Sequence, residues 1–167
     1  QAVAEMAFAL MLALSRRLLE ADRSMREGRW AKYELYGTLL SGKVLGIVGA
    51  GNTGSRGGEV GVTWGMEVLG CVEHPSAERA NVLGEKGIRL ADFEEVISRA
   101  DYVSVHVPYK ESTHYLFNAE VFSRMKPGSF LINLGRGGVV DEHALYDVLT
   151  AGDTVRGAGL DVHEVEH

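Results

Sequence analysis

A doubly wound α/β domain, one parallel sheet with helices on both faces, is the fold class this sequence predicts. Three observations carry that reading. Short apolar runs alternate with helical patterns from Val44 to the end of the chain. Most of the runs are apolar throughout rather than at every second residue, as strands are when both faces are covered. The 167 residues, 46% of them hydrophobic, suit one domain with a real core.

Taken in order, Val3, Ala7, Leu10, Met11, Leu14 and Leu18 recur at helical steps. Residues 2–27 therefore read as one long leading helix. Arg16, Arg17, Glu20, Asp22, Arg23 and Arg26 take its other face. So wide an apolar face needs a partner, either the domain's own sheet or a second subunit. Residues 27–42 read as a loop. Val44–Val48 is a short strand, and a weak helix follows over residues 53–63. A strand is expected over 66–72, and Ser76 can cap a helix that begins at Ala77. Residues 87–91 make a short strand. Asp92 can cap the helix over 93–100. The strand over 101–107 is halted at Pro108. Asn118 can cap a helix to residue 125, and residues 129–134 form a strand. Asp141 can cap the next helix, which Gly152 can stop. Residues 155–162 are the last strand.

Net charge is −6 and there is no basic run, which argues against nucleic acid as partner. The one cysteine, Cys71, excludes a disulfide framework and reads as a small core residue in a reducing, cytoplasmic protein. No metal site is expected, because the six histidines are not spaced with Cys or Asp partners. The apolar run Met6–Leu14 is too short to cross a bilayer, so no membrane partner is expected. The chain opens without Met inside a helical pattern, which reads as a piece of something longer.

The informative motif is Gly49-Ala50-Gly51-Asn52-Thr53-Gly54. Gly49 permits a tight turn, Gly51 lets backbone approach a pyrophosphate, and Gly54 lets the helix pack closely on the strand. Asn52 and Thr53 would offer backbone N–H groups to the diphosphate. The same glycines could serve only a tight structural turn. Their place, after a strand and before a helix, favours a dinucleotide site and a Rossmann-type fold. The acid expected at the end of the second strand is missing: Val72 stands there, and Glu73 follows. Glu73 can take the ribose role if the strand end shifts by one. No Arg lies at 72–75 to meet a 2′-phosphate, so NAD leads and NADP stays open. Gly57, Gly58 and Gly61 each cost the helix about 1 kcal/mol relative to Ala, which leaves it marginal unless packing holds it.

Five stretches, "VAEMAFALMLALSRRL", "GKVLGIVGAGNTG", "ADYVSVHVPYKESTHYLFN", "MKPGSFLINLGRGGVVDEHAL" and "GAGLDVHEVE", resemble the D-isomer-specific 2-hydroxyacid dehydrogenases, phosphoglycerate dehydrogenase-like members in particular. They cover nearly the whole chain in family order. The resemblance implies that residues 41–167 are the dinucleotide-binding domain and residues 1–40 a leading helix and loop for homodimer contact. The substrate domain is expected to lie outside this chain. The small substrate is then a D-2-hydroxy acid or 2-keto acid. Arg136 matches the arginine that holds its carboxylate and carbonyl. Glu166 matches the glutamate that orients a catalytic histidine, with Glu164 a near neighbour. Asp161 matches an aspartate near the nicotinamide amide. Val107-Pro108 and Leu134-Gly135 match segments beside the adenine and nicotinamide.

In the family that histidine lies downstream of the glutamate, and none of the six here matches it; His106 reads as structural. These residues alone are thus expected not to turn over substrate. Two alternatives within the family are an NAD-sensing corepressor-like module and a phosphite-oxidising enzyme. The formate-oxidising branch usually has Gln in place of Glu166 and is disfavoured. A degenerate domain that binds no cofactor is the remaining reading.

Overall fold

The run Val44–Val48 forms β1, at the middle of a six-stranded parallel sheet. The computed structural model describes residues 2–165. On one side of β1 lie β2 (Glu67–Cys71) and β3 (Ile88–Leu90). On the other lie β4 (Tyr102–Val105), β5 (Ser129–Asn133) and β6 (Val155–Leu160). The order β3-β2-β1-β4-β5-β6 reverses between β1 and β4. Open α/β sheets bind ligands outside the carboxyl ends of the strands at such a switch point.

The helices are α1 (Ala2–Ser15), α2 (Leu18–Arg26), α3 (Asn52–Thr63), α4 (Ala77–Glu85), α5 (Phe93–Arg99), α6 (Ala119–Arg124) and α7 (Glu142–Ala151). Side chains of β1 alternate between two cores. Leu45 and Ile47 join Phe8, Met11, Leu83 and Ile88 on one face. Val48 joins Val96, Val103, Phe122 and Leu145 on the other. Ser76, Asp92, Asn118 and Asp141 each accept the backbone N–H three residues on, at the start of α4, α5, α6 and α7. Such a cap stabilises a helix by about 1 kcal/mol. Among the described residues no helix is long and apolar enough to cross a membrane.

The leading segment is two helices rather than one. Arg17 adopts left-handed backbone, φ 51°, between α1 and α2. The Ser15 carbonyl accepts the Thr38 N–H at 2.9 Å instead of continuing the ladder. The Ser15 hydroxyl bonds back to the Met11 carbonyl and meets the Tyr102 hydroxyl at 2.7 Å. Back-bonding of this kind bends helices. As a result α1 packs on α3, β5 and β6, while α2 and the loop after it expose Leu19, Trp30, Tyr33 and Tyr36 at more than 70% each.

Glycines in α3 let the helix lie close on the sheet. A Cβ at Gly61 would stand 2.8 Å from Leu45 Cδ2, and one at Gly58 would stand 2.9 Å from Ile88 Cγ1. A Cβ at Gly54 would run into the Gly49 carbonyl and come within 2.8 Å of Ile47 Cγ2. The helix cost expected from these residues is thus met by packing. Gly57 differs: it is buried, yet a Cβ there would meet nothing within 4 Å.

Candidate functional site

The carboxyl end of β1 turns through Gly49, whose φ of +93° only glycine adopts readily. A Cβ there would also stand 2.9 Å from Val107 Cγ1. The Cys71 carbonyl at the end of β2 accepts two amides, Gly49 N–H at 3.1 Å and Ala50 N–H at 2.9 Å. That fixes the turn beside the second strand. Burial pushes the Cys71 thiol up to about 11, so it is an uncharged core group, as its sequence context predicts.

Helix α3 begins at once. Its N-cap, Gly51, gives no side-chain bond, and a Cβ on Gly51 would meet nothing within 4 Å. The first interior amide in the ladder is that of Ser55, which donates to the Gly51 carbonyl at 2.9 Å. The amides of Asn52 and Thr53 precede it and have no partner within the helix. An open approach, free amides and the positive end of a helix dipole suit an anion.

Two clefts flank this turn. One, of about 240 Å³, is lined mostly by apolar groups, among them Val48, Gly49, Val72, Phe93, Pro108 and Leu116. Glu73 and Lys110 line it too and form an ion pair. Because β2 ends at Cys71, Val72 packs against the apolar core, and Glu73 is the first acid beyond the strand. The Lys110 ammonium holds the Glu73 carboxyl below the usual carboxylate range. The other cleft, of about 270 Å³, brings together Thr53, His106, Val107, Leu134, Gly135 and Arg136. Most of the residues expected from the sequence to touch cofactor therefore line these two clefts or the turn between them. Asp161 lies just past β6, where its N–H donates to the Asn133 carbonyl at 3.0 Å and its side chain is exposed.

His106 sits at the end of β4. Its Nε2 meets the Ser104 hydroxyl at 2.8 Å, and its buried Nδ1 has no hydrogen-bond partner. Burial lowers its pKa to about 4.

Arg136 leaves the carboxyl end of β5 and is exposed. One guanidinium nitrogen donates to the Gly135 carbonyl at 2.8 Å. Among the described residues no carboxylate pairs with it. It also borders a third cleft, of about 760 Å³, with Tyr109, Tyr115, His163 and Glu164. A guanidinium whose remaining donors are open can take a planar carboxylate bidentately. Two features fix its loop. The segment at His163–Glu164 crosses directly over Gly137, leaving no room for a Cβ. Asn133, fully buried, donates to the Arg136 carbonyl and accepts from Gly135 N–H, each at 3.1 Å. Asn133 escaped the sequence reading. The signal was a lone amide closing an apolar strand three residues before the arginine.

Glu164 is engaged elsewhere. Its N–H donates to Glu142 at 2.9 Å, and its carboxylate accepts Glu142 N–H at 3.4 Å and raises the pKa of the Tyr115 hydroxyl. Glu166 lies outside the described residues.

Comparison with known proteins decides the family. The sequence model of the D-isomer specific 2-hydroxyacid dehydrogenase NAD binding domain matches residues 8–167. The chain belongs to this family. It is 38% identical over 164 residues to hydroxypyruvate reductase of Thermotoga maritima, covering 98% of this chain and 51% of that protein. Its backbone resembles the crystal structure of D-lactate dehydrogenase from Aquifex aeolicus complexed with NAD and lactic acid, with TM-score 0.90 and 36% identity over 98% of this chain and 48% of that one. An acyclic imino acid reductase in complex with NADPH and D-Arg is similar at TM-score 0.87 and 33% identity, over 99% of this chain and 52% of that one. The chain spans about half the length of these relatives. It is an NAD-binding domain of Rossmann type, and its glycine turn, uncapped helix and apolar cleft fit such a cofactor.

Proposed function

We propose that this domain serves an NAD-dependent D-2-hydroxyacid dehydrogenase acting on a small 2-hydroxy or 2-keto acid. The observation that carries the proposal is Arg136, a guanidinium that no carboxylate pairs among the described residues, at a carboxyl strand end, beside the cleft that continues from the glycine turn. The amides of Gly51, Asn52 and Thr53, with close packing at Gly54, hold the diphosphate. Val107 and Pro108 border the adenine side with Gly49. Leu134 and Gly135 floor the nicotinamide side, and Asp161 stands near its amide. Glu73 meets the adenosine ribose. When bound, NADH supplies hydride from its nicotinamide to the keto carbon. Arg136 binds the substrate carboxylate, orients the keto carbon and stabilises negative charge growing on its oxygen. Glu166 orients a histidine outside these residues, which gives that oxygen its proton.

The exposed apolar side chains of α2 and its following loop support a homodimer built on residues 1–40, since patches of that kind mark protein contacts. A cytoplasmic enzyme fits the lone buried thiol.

The test is NADH oxidation by the intact protein with pyruvate, glyoxylate and hydroxypyruvate, repeated with Arg136→Gln. Turnover of at least one keto acid to the D-product, lost in the variant while NADH still binds, is expected. Tight NADH binding with no turnover of any 2-keto acid would overturn the dehydrogenase reading.

A further inference from the structure

The Glu73–Lys110 pair bridges two loops that flank the end of β1. Glu73 follows β2, Lys110 follows β4, and both line the apolar cleft that begins at Gly49. Stability does not account for the pair. Both side chains are at least 40% exposed, and surface ion pairs contribute little. Its position is what matters. In sheets of this order, the adenosine ribose meets the residues that close the second strand. Here the closing residue is Val72, turned into the apolar core. Glu73 is the first group beyond it able to accept a hydroxyl, and Lys110 is the one cation lining that cleft among the described residues.

Resting on the cofactor role proposed above, we propose that Lys110 is a phosphate receptor which Glu73 keeps occupied, so that the pair selects NAD over NADP. An ammonium is a compact point charge that binds phosphate well. While Glu73 neutralises it, a 2′-phosphate meets a carboxylate and no available cation. The ribose hydroxyl of NAD instead meets an acceptor held in place by Lys110. The preference is therefore conditional: neutralising Glu73 frees the receptor and opens the site to the phosphorylated cofactor.

The test is titration of the full-length protein with NADH and NADPH, read by nucleotide fluorescence, for wild type, Glu73→Gln, Lys110→Met and the double variant. Glu73 is exposed and Lys110 half-buried outside the two cores, so each variant should fold, which circular dichroism checks. Wild type is expected to favour NADH. Glu73→Gln should tighten NADPH binding by about tenfold, the scale of one gained charge-assisted contact, and weaken NADH binding. Adding Lys110→Met should abolish the NADPH gain. If Glu73→Gln leaves NADPH affinity unchanged, or the gain survives loss of Lys110, the selection role is wrong while the cofactor site stands. If wild type binds neither nucleotide, the cofactor reading itself fails.

Discussion

Asn133 grips both sides of the peptide that carries Arg136: its Nδ2 donates to the Arg136 carbonyl and its Oδ1 accepts the Gly135 N–H, each at 3.1 Å. The amide is buried at the end of β5, so this geometry is enforced by the core rather than by solvent-exposed loop contacts. Replacing Asn133 by Ala strands the Gly135 N–H and frees the Arg136 loop. Stability should fall by about 1–3 kcal/mol. If the proposed function holds, kcat/KM of the intact protein for a 2-keto acid should drop by about tenfold or more, while the NADH Kd changes little. Steady-state kinetics beside an NADH titration separate the two. An equal loss in both would mean that Asn133 supports the whole domain rather than the arginine.

Arg136 itself should not tolerate its nearest chemical relative. Lysine keeps the charge but loses the planar fork. Arg136→Lys is expected to lose about a hundredfold or more in kcat/KM with NADH affinity and melting temperature intact. Full activity in Arg136→Lys would show that charge alone suffices there.

Two glycines one helical turn apart should respond with opposite sign. A Cβ at Gly54 meets the Gly49 carbonyl, whereas one at Gly57 meets nothing within 4 Å. Gly54→Ala should destabilise by about 1–3 kcal/mol and impair NADH binding, because it displaces the turn. Gly57→Ala should stabilise by up to about 1 kcal/mol through helix propensity. Urea unfolding of both variants checks the pair, and a loss of stability in Gly57→Ala would contradict the packing described for α3.

His106 gives the fold a pH dependence of defined sign. Its pKa is held at about 4 by burial, against about 6.5 in an unfolded chain. Between those values the unfolded state binds a proton that the native state refuses. Its contribution is complete above about pH 6.5 and is lost as pH falls towards about 4. From pH 7 to pH 5 the loss is about 2 kcal/mol. His106→Asn should flatten the stability profile in that interval. Denaturation midpoints measured at pH 7 and pH 5 decide it, and an unchanged slope would place the titration on other groups.

Much of this architecture was legible because local chemistry and tertiary structure agree. Ser76, Asp92, Asn118 and Asp141 announce the helices they cap. The apolar runs announce buried parallel strands, and Gly49, Gly51 and Gly54 announce the turn by its steric demands. What was not legible depends on distant partners. The break at Arg17 arises because Tyr102 and Thr38 engage Ser15, and neither is near it in the sequence. The hidden value of Gly58 in α3 lies in Ile88, on β3 and thirty residues on. Lys110 gains meaning only beside Glu73. Asn133 is the exception: its partners, Gly135 and Arg136, are local, and only the folded turn shows that its amide holds them. The placement of Glu166 falls outside the described residues.

The proposed function stands or falls on diphosphate binding by the turn after β1 and the start of α3. The most direct measurement is a crystal structure of the protein grown with NADH. Diphosphate oxygens are expected within hydrogen-bonding distance of the Asn52 and Thr53 amides, with adenosine in the cleft beside Gly49 and Val72. A diphosphate bound elsewhere, or the protein's own chain filling that turn at saturating NADH, would contradict it.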